Sequence, residues 1–440
     1  MKEGSLSQKI WNLSMPLIVT NLLSSVFTLV DLYFVGKISV EALSAVGIGS
    51  LLDMIFVSFG MGGSVAAMAI VSRYTGAMNK KKTEQAAWNS IIFSVFLSVP
   101  ITLGGIISIG PLLHIMGAEE EVFELSARYL KIILGGYIFQ SLYFYSSAIF
   151  RGVGDVKRPA MALAIGVILN IALDPLLIFG WGPLPKMGVA GAALATLLTR
   201  GIGAMILIVI LVRGIHQIKL RAAPINKRTF RELIRIGLPS SGERMLIEVA
   251  HIIFMILVVG YGTVPTAAYT IVTRLRQFIL MPGFGFGVAS AILVGQSLGA
   301  EQPEGGEKAS WLCVKYYEIF MVVTGIIFFV FAPQLIKLFN QDVELIEIGV
   351  TYLRISTLSF PALALSLILY RALCGAGYAI VPFTMRLAFT VVVRIAMGIL
   401  LGLWFGLVGL WYAIVISQLL EGISSAVWFK LGRWKYRRIS

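Results

Sequence analysis

The chain has 440 residues, of which 58% are hydrophobic and only 13% charged, and its mean hydropathy is +0.88. A soluble globular domain carries about 25% charged residues, so this composition excludes one and points to an all-α polytopic membrane protein. The net charge of +14 would suggest nucleic acid in a soluble protein. Here it belongs to loops facing the cytoplasm, and no nucleic-acid partner is expected.

A spanning helix needs about 20 mostly apolar residues, which leaves room for about twelve spans and short loops. The first apolar run begins near Ile10; it is too long for a removable signal and lacks a small-residue cleavage site. It is read as a permanent span over 10–35. Within it, Asp31 sits in Ser24-Ser25-Val26-Phe27-Thr28-Leu29-Val30-Asp31 with no Lys or Arg in helical reach. An acid at membrane depth costs roughly 2.5–3.5 kcal/mol on insertion scales and tends to face a cavity or a partner. Further spans are expected over 44–72, 88–112, 125–150, 159–180, 189–212, 234–260, 267–297, 311–333, 346–371, 381–403 and 408–430. Cys313 and Cys374 lie inside apolar stretches, outside any metal or redox spacing, and read as packing residues.

Lys and Arg are concentrated on alternate loops. One side holds Lys2, Lys9, Arg73, Lys80, Lys81, Lys82, Arg151, Lys157, Arg158, the basic linker from Arg213 to Arg235, and a tail ending in Arg437 and Arg438. The other side holds Lys37, Lys186 and Lys337, with the acidic run Glu119-Glu120-Glu121. The imbalance predicts a multi-pass protein of a plasma membrane, prokaryotic, with both termini in the cytoplasm.

An internal repeat organises the chain. A shift of 223 positions matches Pro16 with Pro239, Gly62 with Gly285, Gly76-Ala77 with Gly299-Ala300, Trp88 with Trp311 and Pro159 with Pro382. Beyond a shorter outer loop the shift becomes 218, matching Gly188 with Gly406 and Gly191 with Gly409. Six spans separate equivalent residues, so both halves keep one orientation. The expected architecture is twelve transmembrane helices as two six-helix bundles, related by a pseudo-two-fold axis along the membrane normal. The expected bounds are 1–213 and 234–440, joined by a cytoplasmic linker over 214–233. Parallel repeats of this kind belong to transporters that rock around a site at the repeat interface.

The motifs then carry a family resemblance. Pro16 with Asp31, Leu169-Asn170-Ile171-Ala172-Leu173-Asp174-Pro175, Gly237-Leu238-Pro239 followed by Glu243, Met281-Pro282-Gly283-Phe284-Gly285-Phe286 and Val294-Gly295-Gln296-Ser297-Leu298-Gly299-Ala300 together resemble the multidrug and toxic-compound extrusion (MATE) family of the MOP flippase superfamily. The resemblance covers essentially the whole chain. It implies an antiporter that exports small organic compounds, cationic and amphipathic, in exchange for inward H⁺ or Na⁺. No organic cofactor is implied, and a monomer is expected.

Asn170 and Asp174 lie at i, i+4 and share a helix face. Pro175 removes one backbone donor and exposes the carbonyl of Ile171. Carboxylate, amide oxygen and freed carbonyl suit Na⁺ or a proton held in a polar network. The resemblance implies that Asp31, Asn170, Asp174 and Thr196 are the cation-coupling residues, as in the DinF-like and archaeal branches. At the repeat offset Asp31 corresponds to Phe254 and Asp174 to Met397, so the acid pair belongs to one half only. The second half offers Glu248 and His251, three apart, with Glu243 nearby, as a candidate second ionic site. Asp53 and Arg276 are repeat equivalents and are expected to pair across the lobes as a gate. Pro16 and Pro175 are expected helix-bend points. Met54, Met61, Tyr137, Tyr143, Tyr145, Met255 and Phe284 are candidates for an adaptable apolar cleft.

The rival from the same superfamily, a flippase for lipid-linked precursors, needs a cluster of cleft cations to meet a pyrophosphate. In the sequence Arg200, Arg274, Arg276, Lys315, Arg354, Arg386 and Arg394 read as scattered. An enzyme is disfavoured by the lack of HExxH, GxSxG, CxxC or Walker patterns. A receptor or an uncoupled channel has no use for a mid-membrane acid pair.

Overall fold

A computed structural model describes residues 3–180, 185–214 and 218–437. Lys2 and Arg438, counted above among the inner cations, lie outside the described residues. The helices, in chain order, are α1 Glu3–Gly36, α2 Val40–Gly76, α3 Lys80–Ile115, α4 Glu120–Gly135, α5 Tyr137–Gly152, α6 Lys157–Phe179 and α7 Val189–Arg213. They continue as α8 Lys227–Val259, α9 Thr263–Gly299, α10 Pro303–Val330, α11 Ala332–Lys337, α12 Val343–Thr357, α13 Phe360–Gly375, α14 Ile380–Met385 and α15 Arg394–Lys430. A π-helical stretch, Arg386–Val393, connects the last two.

The helices that correspond to the expected spans overrun them where polar side chains take over as caps. Ser39 accepts from the Ala42 amide at 3.0 Å, Asn79 from Lys82 at 3.0 Å and Asp342 from Leu345 at 2.8 Å. Two expected spans are bent: 125–150 is α4 and α5, turned by 50° at Gly136, and 346–371 is α12 and α13, turned by 55°. The continuous helical run Ile380–Lys430 has 51 residues. At 1.5 Å per residue that far exceeds a hydrocarbon core of about 30 Å. It folds back at Gly406, whose φ of 58° and ψ of −142° suit a residue without Cβ. With α8, these elements give the twelve spans of an all-α membrane protein.

Backbone geometry repeats with the sequence. Gly188 adopts φ 56° and its equivalent Gly406 φ 58°, and among the described residues the two non-glycines with positive φ, Met78 at 54° and Glu301 at 57°, are repeat equivalents.

The chain forms two compact units, and their membership differs from the expected bounds. One comprises Met1–Ile18 and Gly242–Arg438; the other comprises Val19–Ser241 with the last two residues. The changeovers therefore fall inside α1 and α8, at equivalent positions just after Pro16 and Pro239, and not in the linker. Within the first unit, the opening half of α1 crosses α9 so closely that a Cβ on Gly285 would stand 2.6 Å from Ile18 Cγ1 and 3.0 Å from the Ser14 carbonyl. Within the second unit, the opening half of α8 does the same at Gly62, where a Cβ would stand 2.1 Å from Ser241 Oγ and 2.5 Å from the Gly237 carbonyl. Each of these two helices continues past its proline as one helix, as α6 does past Pro175. The linker is tied to the second unit: Asn226 N donates to Asn89 Oδ1 at 2.8 Å and Lys219 N to Glu84 Oε1 at 3.1 Å.

Candidate functional site

In the Val19–Ser241 unit, an apolar cluster built from Val35, Leu52, Leu130, Ile178, Val189 and Ala192 fixes α1, α2, α4, α6 and α7 together. Polar groups are set into this interior. Asp31 on α1 is 8% exposed, and Asn170, Asp174 on α6 and Thr196 on α7 are buried. The expected i, i+4 bond is present, with Asn170 Nδ2 donating to Asp174 Oδ1 at 3.1 Å. Asp31 lies within electrostatic range of Asp174. Asp31 Oδ1, Asn170 Oδ1, Asp174 Oδ2 and Thr196 Oγ1 are all buried and have no hydrogen-bond partner in the protein. Most buried polar atoms are paired, and an unpaired one costs about 1–3 kcal/mol. Four oxygens in this condition, on three helices, make a donor set suited to a proton or a hard cation.

Arg200 joins this site, a member that residue-by-residue reading missed. Its Nη1 donates to Gln140 Oε1 at 2.6 Å and stands 3.9 Å from Asp53 Oδ2. Arg200 also interacts electrostatically with Asp31, and the buried Tyr129 senses Asp31, Asp53 and Arg200 together. Two carboxyl groups, those of Asp31 and Asp53, thus share one guanidinium. Among the described residues no cluster of three or more His, Cys, Asp or Glu is arranged to hold a metal ion. A sodium ion here would depend on amide, hydroxyl and carbonyl oxygens beside the acids.

In the other unit the same positions carry different chemistry. Phe254, equivalent to Asp31, is 1% exposed in an apolar cluster with Val258, Tyr269, Leu410 and Trp411. Arg276, equivalent to Asp53, donates to Gln418 Oε1 at 3.0 Å and to Tyr352 Oη at 3.2 Å. Gln418 is the equivalent of Arg200, and Tyr352 of Tyr129. Asp53 and Arg276, expected as a gate pair, therefore each hold a partner within their own unit. Glu243 stands 3.6 Å from Arg386, and Glu248 interacts with Arg244. His251 faces Arg394, Arg276 and Arg386.

The arginines read as scattered are partly gathered. Arg276, Arg386 and Arg394, with Arg371, line one cavity of about 160 Å³ inside this unit, while Tyr143 and Tyr145 lie on α5 of the other. The signal that would have found this cluster is the pairing of repeat-equivalent positions across both offsets, 53 with 200 and 276 with 418.

Twelve spans in two repeat-related halves, with buried charge in each half, define a membrane transporter and not an enzyme. The family model described as MatE matches residues 16–176 and 239–400, and the chain belongs to that family. It is 30% identical over 438 residues to the "Probable multidrug resistance protein NorM" of Thermotoga maritima, covering 97% of this chain and 93% of that one. It is also similar to a solved structure described as MATE in the bent conformation, with a TM-score of 0.91 at 25% identity, covering 97% of this chain and 95% of the other. A second, described as the outward-facing conformation of a multidrug resistance MATE family transporter of the MOP superfamily, gives 0.88 at 25% identity over 97% and 95% of the two chains.

Proposed function

We propose that the protein is a secondary active multidrug exporter that exchanges organic amphipathic compounds for inward H⁺ or Na⁺. It works as a monomer in a prokaryotic plasma membrane, with both termini in the cytoplasm. The observation that carries this reading is the set of buried, unpartnered oxygens on Asp31, Asn170, Asp174 and Thr196. A carboxylate taken out of water is stabilised by gaining a proton or a cation, and this set offers both acids and neutral oxygens to share one. Arg200 opposes the charges of Asp31 and Asp53 between turnovers. The resemblance of Asp31, Asn170, Asp174 and Thr196 to the cation-site residues of the DinF-like and archaeal branches supports the same reading.

Cation entry neutralises Asp31 and lets α1, whose two halves serve different units, repack about Pro16. The electrical part of the driving force is about 2.3 kcal/mol per charge per 100 mV. Glu248 and His251 take no part in this step, because three guanidinium groups around His251 oppose a further cation. For cationic compounds, the acids of the Val19–Ser241 unit supply the complementary charge. One observation favours the flippase reading as a second: the gathering of Arg276, Arg371, Arg386 and Arg394 around one cavity. The test is transport in proteoliposomes with an imposed pH or Na⁺ gradient and a fluorescent cationic dye. Dye exchange that follows either gradient supports antiport; dye movement indifferent to both refutes it.

A further inference from the structure

The arginine cavity has a cation excess that its own acids do not cancel. Arg386 takes both nearby carboxylates, with Nη1 2.8 Å from Glu421 Oε1 and Nε 3.6 Å from Glu243 Oε1. Arg394, 7% exposed, has Ser417 Oγ as its hydrogen-bond partner at 3.0 Å. Arg276 has the amide of Gln418 and the phenol of Tyr352. Among the described residues, neither Arg276 nor Arg394 has a carboxylate within ion-pair distance. The two also repel each other. Taking such charges out of water costs several kcal/mol each unless an anion meets them.

The repeat makes the asymmetry specific. The position that holds Asp53 opposite Arg200 in one unit holds Arg276 opposite Gln418 in the other, so this pair has a guanidinium, on the opposite member, and no carboxylate. Backbone geometry serves the cluster as well. Arg386 and Thr390 on the π-helical stretch, with Arg394 following, all line one cavity, and π turns concentrate at functional sites. Thr390 Oγ1 donates to Glu421 Oε2 at 3.1 Å, which holds that acid on the Arg386 side. The opposite wall is aromatic: Tyr269 and Tyr352 stack with ring centroids 5.7 Å apart, and Tyr352 stacks on Trp411 at 4.1 Å. A volume of about 160 Å³ is below the roughly 300–1,000 Å³ of a pocket that encloses a whole drug-sized molecule. It has room for a head group and one edge of an attached ring.

We propose that this cavity is a binding subsite for an oxyanion group, carboxylate or phosphate ester, carried on an aromatic or acyl body. The group bridges Arg276 and Arg394, supplying the negative charge that Asp53 supplies to Arg200 in the other unit, while the body lies against Tyr269 and Tyr352. The protein would thereby accept anionic or zwitterionic cargo beside cations. The identity of the ligand as cargo rests on the export reading above; occupancy of the cavity does not.

The experiment is calorimetric titration of the purified full-length protein in detergent with 1-naphthyl phosphate, with uncharged 1-naphthol and with dihexanoyl phosphatidic acid. Saturable binding of either phosphate ester, at least tenfold tighter than the naphthol, is expected. A preference for the naphthyl ester identifies a soluble source of the group, and a preference for the phosphatidic acid a lipid headgroup. Gln418→Glu, nearly isosteric, supplies Arg276 with an internal carboxylate and should weaken that binding at least tenfold. Arg276→Gln should do the same. Equal affinity for naphthol, or a folded Gln418→Glu variant that binds like the original, overturns the proposal. Gradient-driven transport of 1-naphthyl phosphate is read separately: its absence with binding intact refutes the cargo role and leaves the site standing.

Discussion

Replacing Arg200 by Gln removes the guanidinium that faces Asp53 and Asp31 in the Val19–Ser241 unit. At 3.9 Å from Asp53 and an effective dielectric of about 20, the pair is worth about 4 kcal/mol before desolvation. Breaking a buried pair by deleting one partner costs about 3–5 kcal/mol. Arg200 is 31% exposed in its side chain, so water takes up part of the loss and about 2–3 kcal/mol is expected. The apparent melting temperature in detergent should fall by several degrees. Adding Asp53→Asn should restore part of the loss, because the stranded carboxylate goes with it; a double-mutant cycle isolates that coupling. The same substitution leaves Asp31 without that opposing charge, so half-saturation by the coupling cation should move to lower concentration. Unchanged stability together with unchanged cation dependence would refute the role given to Arg200.

Gly285→Val and Gly62→Val each force apart two helices in near contact, and overpacking of this kind costs about 1–3 kcal/mol. Thermal unfolding should show similar losses for both, and a neutral effect at either would contradict the close crossings of α1 and α8. Lys435 Nζ, 2.5 Å from Glu307 Oε2, has its pKa raised above the usual lysine value by that hydrogen bond. The contribution is therefore complete at neutral pH and is lost only as pH climbs beyond about 10.4 toward the raised value. Lys435→Met should lower stability by under about 1 kcal/mol at pH 7, and the difference from the parent should vanish in strong alkali.

Much of this molecule is legible in its sequence because a membrane leaves few choices. Long apolar runs must be helices, and an offset that keeps Gly, Pro and Trp in register over two halves must be a structural repeat. Asn170 and Asp174 could be joined because both lie on one helix, four residues apart. Asp53 and Arg200 are on different helices, and neither looks remarkable until the repeat brings Gln418 and Arg276 into comparison. The exchange of half-helices has no sequence signature, since periodicity shows that α1 is apolar but not which bundle its first turns join. Small residues at Gly62 and Gly285 are its trace. Arg386 and Arg394 are eight apart and share a helix face at α-helical spacing, but their meeting with Arg276 and Arg371 from other helices is tertiary and has no local sequence signal.

The most direct measurement of the coupling claim is efflux from proteoliposomes carrying Asp31→Asn, under imposed pH and Na⁺ gradients, beside the unmodified protein. The amide keeps the size of the side chain and abolishes its charge. Loss of gradient-driven efflux with dye binding retained is the predicted result. Full gradient-driven efflux by Asp31→Asn would contradict the account.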